Sequence, residues 1–212
     1  MFGHGFEISD YFDSGFDALL NFSFKHHDLR DFTTLDSVYS AYSNLLNENP
    51  TIGFVNFLSS HDEGMFDLSD PLISTALMLA PGSAQIYYGE ETSRPGHTRS
   101  MMNWNSLDTN RLSHFQTLAR FKRDHPALGI GRHQVIASED YYAFQRVVGM
   151  QDDDDKVIVV LGAEGRVRLN VSKLFPDDAV LQESITGKIA IVSFGMVQFT
   201  AGDDGILLIS ER

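Results

Sequence analysis

Residues Phe57 to Gly64, "FLSSHDEG", set an imidazole beside a carboxylate where an apolar run turns abruptly polar. An ionised carboxylate accepts hydrogen bonds at two oxygens, and a neutral imidazole donates from one nitrogen and accepts at the other. One reading is that His61 and Asp62 do chemistry together. A second reading is structural: Asp62 or Asp67 caps the next helix and His61 fills the rim. Other residues whose types could do chemistry are the adjacent Glu90 and Glu91, then Arg99, Met102 and Trp104, and the histidines His4, His26 and His27. None of these has the spacing of a metal site, so no metal is expected. The Arg99–Trp104 stretch reads first as loop packing.

The elements that must position these residues fall into two blocks. "GFDALLNFSFK", "TIGFVNFL" and "AQIYYG" read as strands. Between and after them, "TLDSVYSAYSNLLNEN", "DPLISTALMLAPG" and "NRLSHFQTLARFKRDHPAL" read as helices. Leu35, Val38, Tyr42 and Leu45 or Leu46 mark the first at helical spacing, Pro71 opens the second, and Leu112, Phe115, Leu118, Ala119 and Phe121 or Lys122 mark the faces of the third. Strand alternating with helix predicts parallel strands joined by crossovers. Working residues in such sheets gather at the C-terminal ends of the strands, where "KHHD", "SSHDEG" and "YYGEETSRPG" stand. From about Gly131 onward, seven or eight short apolar or alternating runs are separated by turn-forming clusters such as "AEG", "PDD", "TGK" and "AGDDG". The expectation is an α/β domain over 1–130 and an antiparallel β domain, a sandwich, over 131–212. "DDDD" before Lys156 reads as a hairpin turn, although it also looks like an enteropeptidase site.

Composition narrows the partners. Sixteen basic residues against 29 acidic ones give a formal charge of −13, which disfavours nucleic acid and anionic membrane surfaces. A neutral ligand such as a carbohydrate is compatible with that charge. The absence of cysteine removes disulfides and thiolate chemistry. No apolar run approaches the roughly 20 residues that span a bilayer, and "MFGHGFEISDY" does not read as a signal peptide.

The order "FLSSHDEG", "LAPGSAQIYYGEE", "RSMMNW", "LARFKRDHPALGIG", followed by a β domain, resembles the C-terminal part of the α-amylase family (glycoside hydrolase family 13). The opening "FGHGFEISDYFDSGFDALLNFSF" looks most like periplasmic or secreted bacterial α-amylases. The resemblance implies the last three β/α units of a (β/α)8 TIM barrel followed by an antiparallel β-sandwich domain, and retaining hydrolysis of α-1,4-glucans by the parent enzyme. It implies that Asp62 stabilises the transition state and that His61 hydrogen-bonds the substrate, with Arg99 and Trp104 as further substrate-binding candidates. The strand segments that carry the family's nucleophile Asp and acid/base Glu have no counterpart in this chain, since Glu7 falls after the position where the Glu would sit. Hydrolysis by the chain alone is therefore not expected. Neither is a cofactor, although calcium is possible in a full-length parent. The expected partner is an α-glucan, and the uncovered barrel edges are expected to promote self-association. The alternative reading is a non-catalytic carbohydrate-binding or assembly module.

Overall fold

The computed structural model describes residues 7–11, 13–94, 97–149 and 154–212. The chain divides into two compact units, Met1–Lys122 and Arg123–Arg212.

In the first unit three strands, β1 (Ala18–Asn21), β2 (Gly53–Asn56) and β3 (Ser83–Ala84), pair in parallel in the order β1-β2-β3. Helices α1 (Phe32–Glu48), α2 (Pro71–Met78) and α3 (Thr109–Asp124) follow the strands in turn. Each helix start has a legible local cause. The Asp31 carboxylate accepts from Thr33 N and Thr34 N at the head of α1. Asp70 accepts from Leu72 N, and Pro71 fills a first-turn position where its missing N–H costs nothing. Helix α2 is buried on all sides, so its hydroxyls bond inward: Ser74 and Thr75 both donate to the Pro71 carbonyl. Helix α3 is amphipathic and buries Phe115, Leu118 and Phe121. Ala119, expected on an apolar face, is exposed, and Lys122 instead donates from Nζ to the Ala80 carbonyl.

At the C-terminal ends of the strands two fully buried amides form a cross-strand chain. Asn21 Nδ2 donates to Asn56 Oδ1 at 2.8 Å, and Asn56 Nδ2 donates to the Pro81 carbonyl at 2.8 Å. The expected strand over "AQIYYG" is corrected. Pairing covers only Ser83 and Ala84, with one further bond from Gln85 N to Asn56 O. The cause lies just downstream. Glu90 Oε2 accepts from Tyr87 N, Glu91 Oε2 accepts from Gly89 N, and Glu90 N donates to Tyr87 O. These bonds commit the backbone of Tyr87 to Glu90 to a turn and take it out of the ladder.

The second unit holds a short helix α4 (Ala127–Ile130) and eight strands, β4 (Arg132–Ile136), β5 (Tyr142–Val148), β6 (Asp155–Leu161), β7 (Arg166–Asn170), β8 (Val180–Glu183), β9 (Ile189–Ile191), β10 (Met196–Thr200) and β11 (Leu207–Glu211). All pairings here are antiparallel. One sheet has the order β4-β5-β6-β11-β8-β9, and the other pairs β7 with β10. Ile158, Val160, Leu181 and Ile209 of the larger sheet share one core with Val167, Leu169, Val197 and Phe199 of the smaller. The division between units lies earlier in the chain than the expected boundary at residue 130. Asp155 on β6 explains it: its carboxylate meets His125 Nδ1 at 2.7 Å and accepts from Ala127 N at 2.8 Å, which ties α4 to the β unit. The "DDDD" stretch joins β5 to β6, and Asp152 and Asp153 lie outside the described residues, as does His4.

Candidate active site

Strand β2 ends at Asn56, and the chain continues through buried Phe57, Leu58 and Ser59 before it surfaces. Two serine hydroxyls then shape the loop. Ser59 Oγ accepts from Phe66 N at 2.9 Å, while Ser60 Oγ accepts from Asp62 N at 3.3 Å and Glu63 N at 3.0 Å. Ser60 N also bonds Gly64 O, and Gly64 takes φ +100°, which closes the turn. His61 and Asp62 are held at its tip, 62% and 68% exposed. Glu63 turns the other way and pairs with Lys25, which follows β1.

The capping alternative for Asp62 does not hold. Asp70 caps α2, Asp67 accepts from Ser69 N, and both Asp62 oxygens are engaged elsewhere. His61 Nε2 lies 3.1 Å from Asp62 Oδ2, and Arg99 Nη2 donates to Asp62 Oδ1 at 3.1 Å. Arg99 Nε also points to the His61 carbonyl at 3.4 Å. An imidazole, a carboxylate and a guanidinium thus meet at the C-terminal end of a parallel strand, open to solvent. Exposed ion pairs contribute about 0–1 kcal/mol each, so stability alone does not account for three such groups at one point. A carboxylate engaged by two donors retains lone pairs for further hydroxyls.

The other candidates are placed as follows. Trp104 stands 73% exposed. Glu90 is 2% exposed, and burial raises its carboxyl from 4.5 to about 7 against the opposing pull of hydrogen bonds from Ser59 and from Tyr87 N. It lies beneath the loop, away from solvent, together with Met65, Phe66, Arg94 and Arg111 around a cavity of about 220 Å³. His27 lines a separate cavity of about 400 Å³ along α1 with Thr33, Thr34, Ser37 and Tyr42. Burial and the neighbouring His26 lower the His27 pKa. Among the described residues, no three His, Asp or Glu side chains gather as metal ligands. No described helix is long and apolar enough to cross a membrane.

Sequence reasoning passed over Ser59, Ser60 and Arg94. The serines had a signal, because Ser-Ser before an acidic turn is where hydroxyls replace backbone partners. Arg94 had none, since its partners are mostly carbonyls.

No family model matches the chain. A search of characterised proteins finds the periplasmic α-amylase of Escherichia coli (strain K12), 33% identical over 170 residues, which covers 74% of this chain and 25% of that protein. The chain belongs to the α-amylase family. Among solved structures, the α-amylase of Geobacillus thermoleovorans, complexed with acarbose, aligns over 97% of this chain and 50% of its own at TM-score 0.76 and 16% identity. An Anoxybacillus α-amylase aligns over the same fractions at TM-score 0.68 and 16% identity. At those identities the structural likenesses bear on the α-amylase fold. The chain spans a quarter of the E. coli α-amylase and half of the two solved α-amylases.

Proposed function

We propose that this chain is the C-terminal part of an α-amylase-type retaining glycoside hydrolase acting on α-1,4-glucans. In this reading the first unit supplies the last three β/α units of a (β/α)8 barrel, and the second supplies the β-sandwich that follows it. The observation that carries the reading is the placement of Asp62: exposed at the C-terminal end of a parallel strand, with His61 and Arg99 on its two oxygens. Retaining glycosidases pass through an oxocarbenium-like transition state, and hydrogen bonds to ring hydroxyls tighten as charge develops. Asp62 accepts from those hydroxyls and balances the positive charge. His61 donates to the same sugar, Arg99 holds the carboxylate in place, and Trp104 stacks on a neighbouring glucosyl ring. The relevant ligand chemistry is illustrated by the Geobacillus enzyme, which takes acarbose.

Retaining hydrolysis also needs two reacting carboxyl groups about 5–5.5 Å apart. Asp62 fills neither role, so the chain alone is inactive and works only with a segment that brings a nucleophile and an acid. No cofactor is assigned to these residues, and any calcium belongs to such a segment. The E. coli α-amylase is periplasmic, which supports a periplasmic or secreted parent.

The test has two arms. Reducing-sugar release from starch by the purified chain should be nil, and measurable release overturns the assignment of roles. In a complemented enzyme, Asp62→Asn keeps the hydrogen-bonding shape but removes the charge. It should lower kcat by several kcal/mol of transition-state stabilisation, on the order of that lost with an oxyanion-hole donor, and should hardly change KM. His61→Asn should cost less, about 1–3 kcal/mol. Unchanged kcat in Asp62→Asn sinks the proposal, and starch binding without any complemented turnover would mark a binding or assembly module.

A further inference from the structure

Arg94 makes the fullest set of hydrogen bonds of any cation among the described residues of the first unit. It is 8% exposed, and no carboxylate is among its partners. Its Nε donates to Tyr88 O at 3.2 Å, Nη1 to His97 O at 2.9 Å and Ser100 O at 2.7 Å, and Nη2 to Thr98 O at 2.9 Å and Met65 Sδ at 3.3 Å. A guanidinium has five N–H donors in a rigid fork, and all five are used. The same group lies 4.2 Å from the centre of the Tyr88 ring. Gly89 makes room for it: a Cβ there would fall 2.4 Å from Arg94 Cβ and 2.6 Å from Nε.

The acceptors show what this arrangement accomplishes. His97, Thr98 and Ser100 surround Arg99, and Met65 follows the loop that carries His61 and Asp62. Tyr87 and Tyr88 hydroxyls add bonds to Thr98 O, and Tyr88 adds one to Ser100 O. Burying a charge without a counter-ion is costly unless its hydrogen bonds are all made. Here the charge is offset by carbonyl dipoles that its own donors collect. Arg99 itself is 69% exposed and long. From an unpinned loop, such a side chain would lose more rotamer freedom than an exposed ion pair returns.

We infer that Arg94 is a positioning residue for the Asp62 site, acting through Arg99: it fixes the backbone on both sides of Arg99, so that the exposed guanidinium meets Asp62 in a single geometry. The binding consequence rests on the proposed glucan reading, whereas the loop-fixing consequence does not.

The experiment uses the full chain as wild type, Arg94→Met, Arg99→Met and the double variant. The first readout is the NMR signal of the Arg99 Nε–H, which faces the His61 carbonyl. It should be resolved and slowly exchanging in the wild type and lost in Arg94→Met while melting stays cooperative. The second is maltoheptaose affinity by calorimetry. Each single substitution should weaken it by up to about fivefold, the most an exposed ion pair contributes, and the double should be no weaker than either single, as for residues acting in one chain. An unchanged Arg99 signal in Arg94→Met, or losses that multiply in the double, overturns the inference. If the wild type fails to bind maltoheptaose, the glucan reading falls and the NMR arm still decides the role of Arg94. Should Arg94→Met fail to fold, Arg94→Lys keeps the charge with three donors and no fork. It should fold and still lose the Arg99 signal; a lysine that restores the signal refutes the five-donor account.

Discussion

Glu90 holds a carboxyl where water barely reaches, and that gives it a pH signature of its own. Its folded-state pKa of about 7 stands above the ordinary 4.5, because burial penalises the charged form. The folded chain therefore keeps this proton up to about pH 7, while an unfolded chain releases it near 4.5. Between those values the native state binds more protons, so the Glu90 contribution favours folding below about pH 4.5 and is lost as pH rises to about 7. Above that it is constant. The span corresponds to about 3 kcal/mol. Glu90→Gln should remove this dependence, leaving the variant more stable than wild type at pH 8 and close to it at pH 4.5. Denaturant melts at the two pH values check it, and an equal offset at both would mean that the carboxyl is not buried as described. At this scale His61 and Asp62 were conspicuous in the sequence as polar residues directly after an apolar run, whereas Arg99 was marked only through the resemblance carried by "RSMMNW". The sequence concealed Arg94, whose acceptors are carbonyls that every residue possesses.

Among the elements, helices were more legible than strands. Pro71, the acidic residue before it and the apolar spacing of α1 and α3 are local signals, and the structure follows them. β3 was overestimated because "AQIYYG" has strand-forming residues, while the decisive bonds come from the Glu90 and Glu91 side chains beyond it. A side chain folding back on its own backbone overrides propensity, and no periodicity announces it. The capping assignment yields a contrast of variants. Asp70→Ala should cost about 1 kcal/mol by leaving Leu72 N without its cap. Asp62→Ala, which caps nothing, should stay within about 0.5 kcal/mol of wild type, as surface changes do. Thermal or urea melts of both decide the matter; the reverse order of costs would return Asp62 to a structural role.

On the scale of the whole molecule, the change of pattern near residue 130 anticipated two units of different class. The division between Lys122 and Arg123 was not legible, because Asp155 that ties down α4 lies some thirty residues further along the chain. In the first unit both β1 and β3 pair only with β2, so each leaves an edge open among the described residues. Leu20 on β1 and Phe16 just before it, and Ile86 and Tyr88 beyond β3, are exposed. Open edges with apolar neighbours recruit further strands, and light scattering at micromolar concentration should detect dimers or larger species. Leu20→Lys, a charge on one edge, should shift them toward monomer. A wild-type chain that scatters as a monomer would show that the edges are protected.

The buried amides of Asn21 and Asn56 bear on how such an open sheet assembles at all. Their chain to the Pro81 carbonyl runs through side chains, so it senses alignment that the backbone ladder alone would tolerate. Sliding β1 by one residue would bring Leu20 to the amide and leave Asn56 with a buried, unanswered oxygen, a penalty of about 1–3 kcal/mol. The three strands thus proofread their own assembly. Misaligned intermediates are rejected by two amide groups.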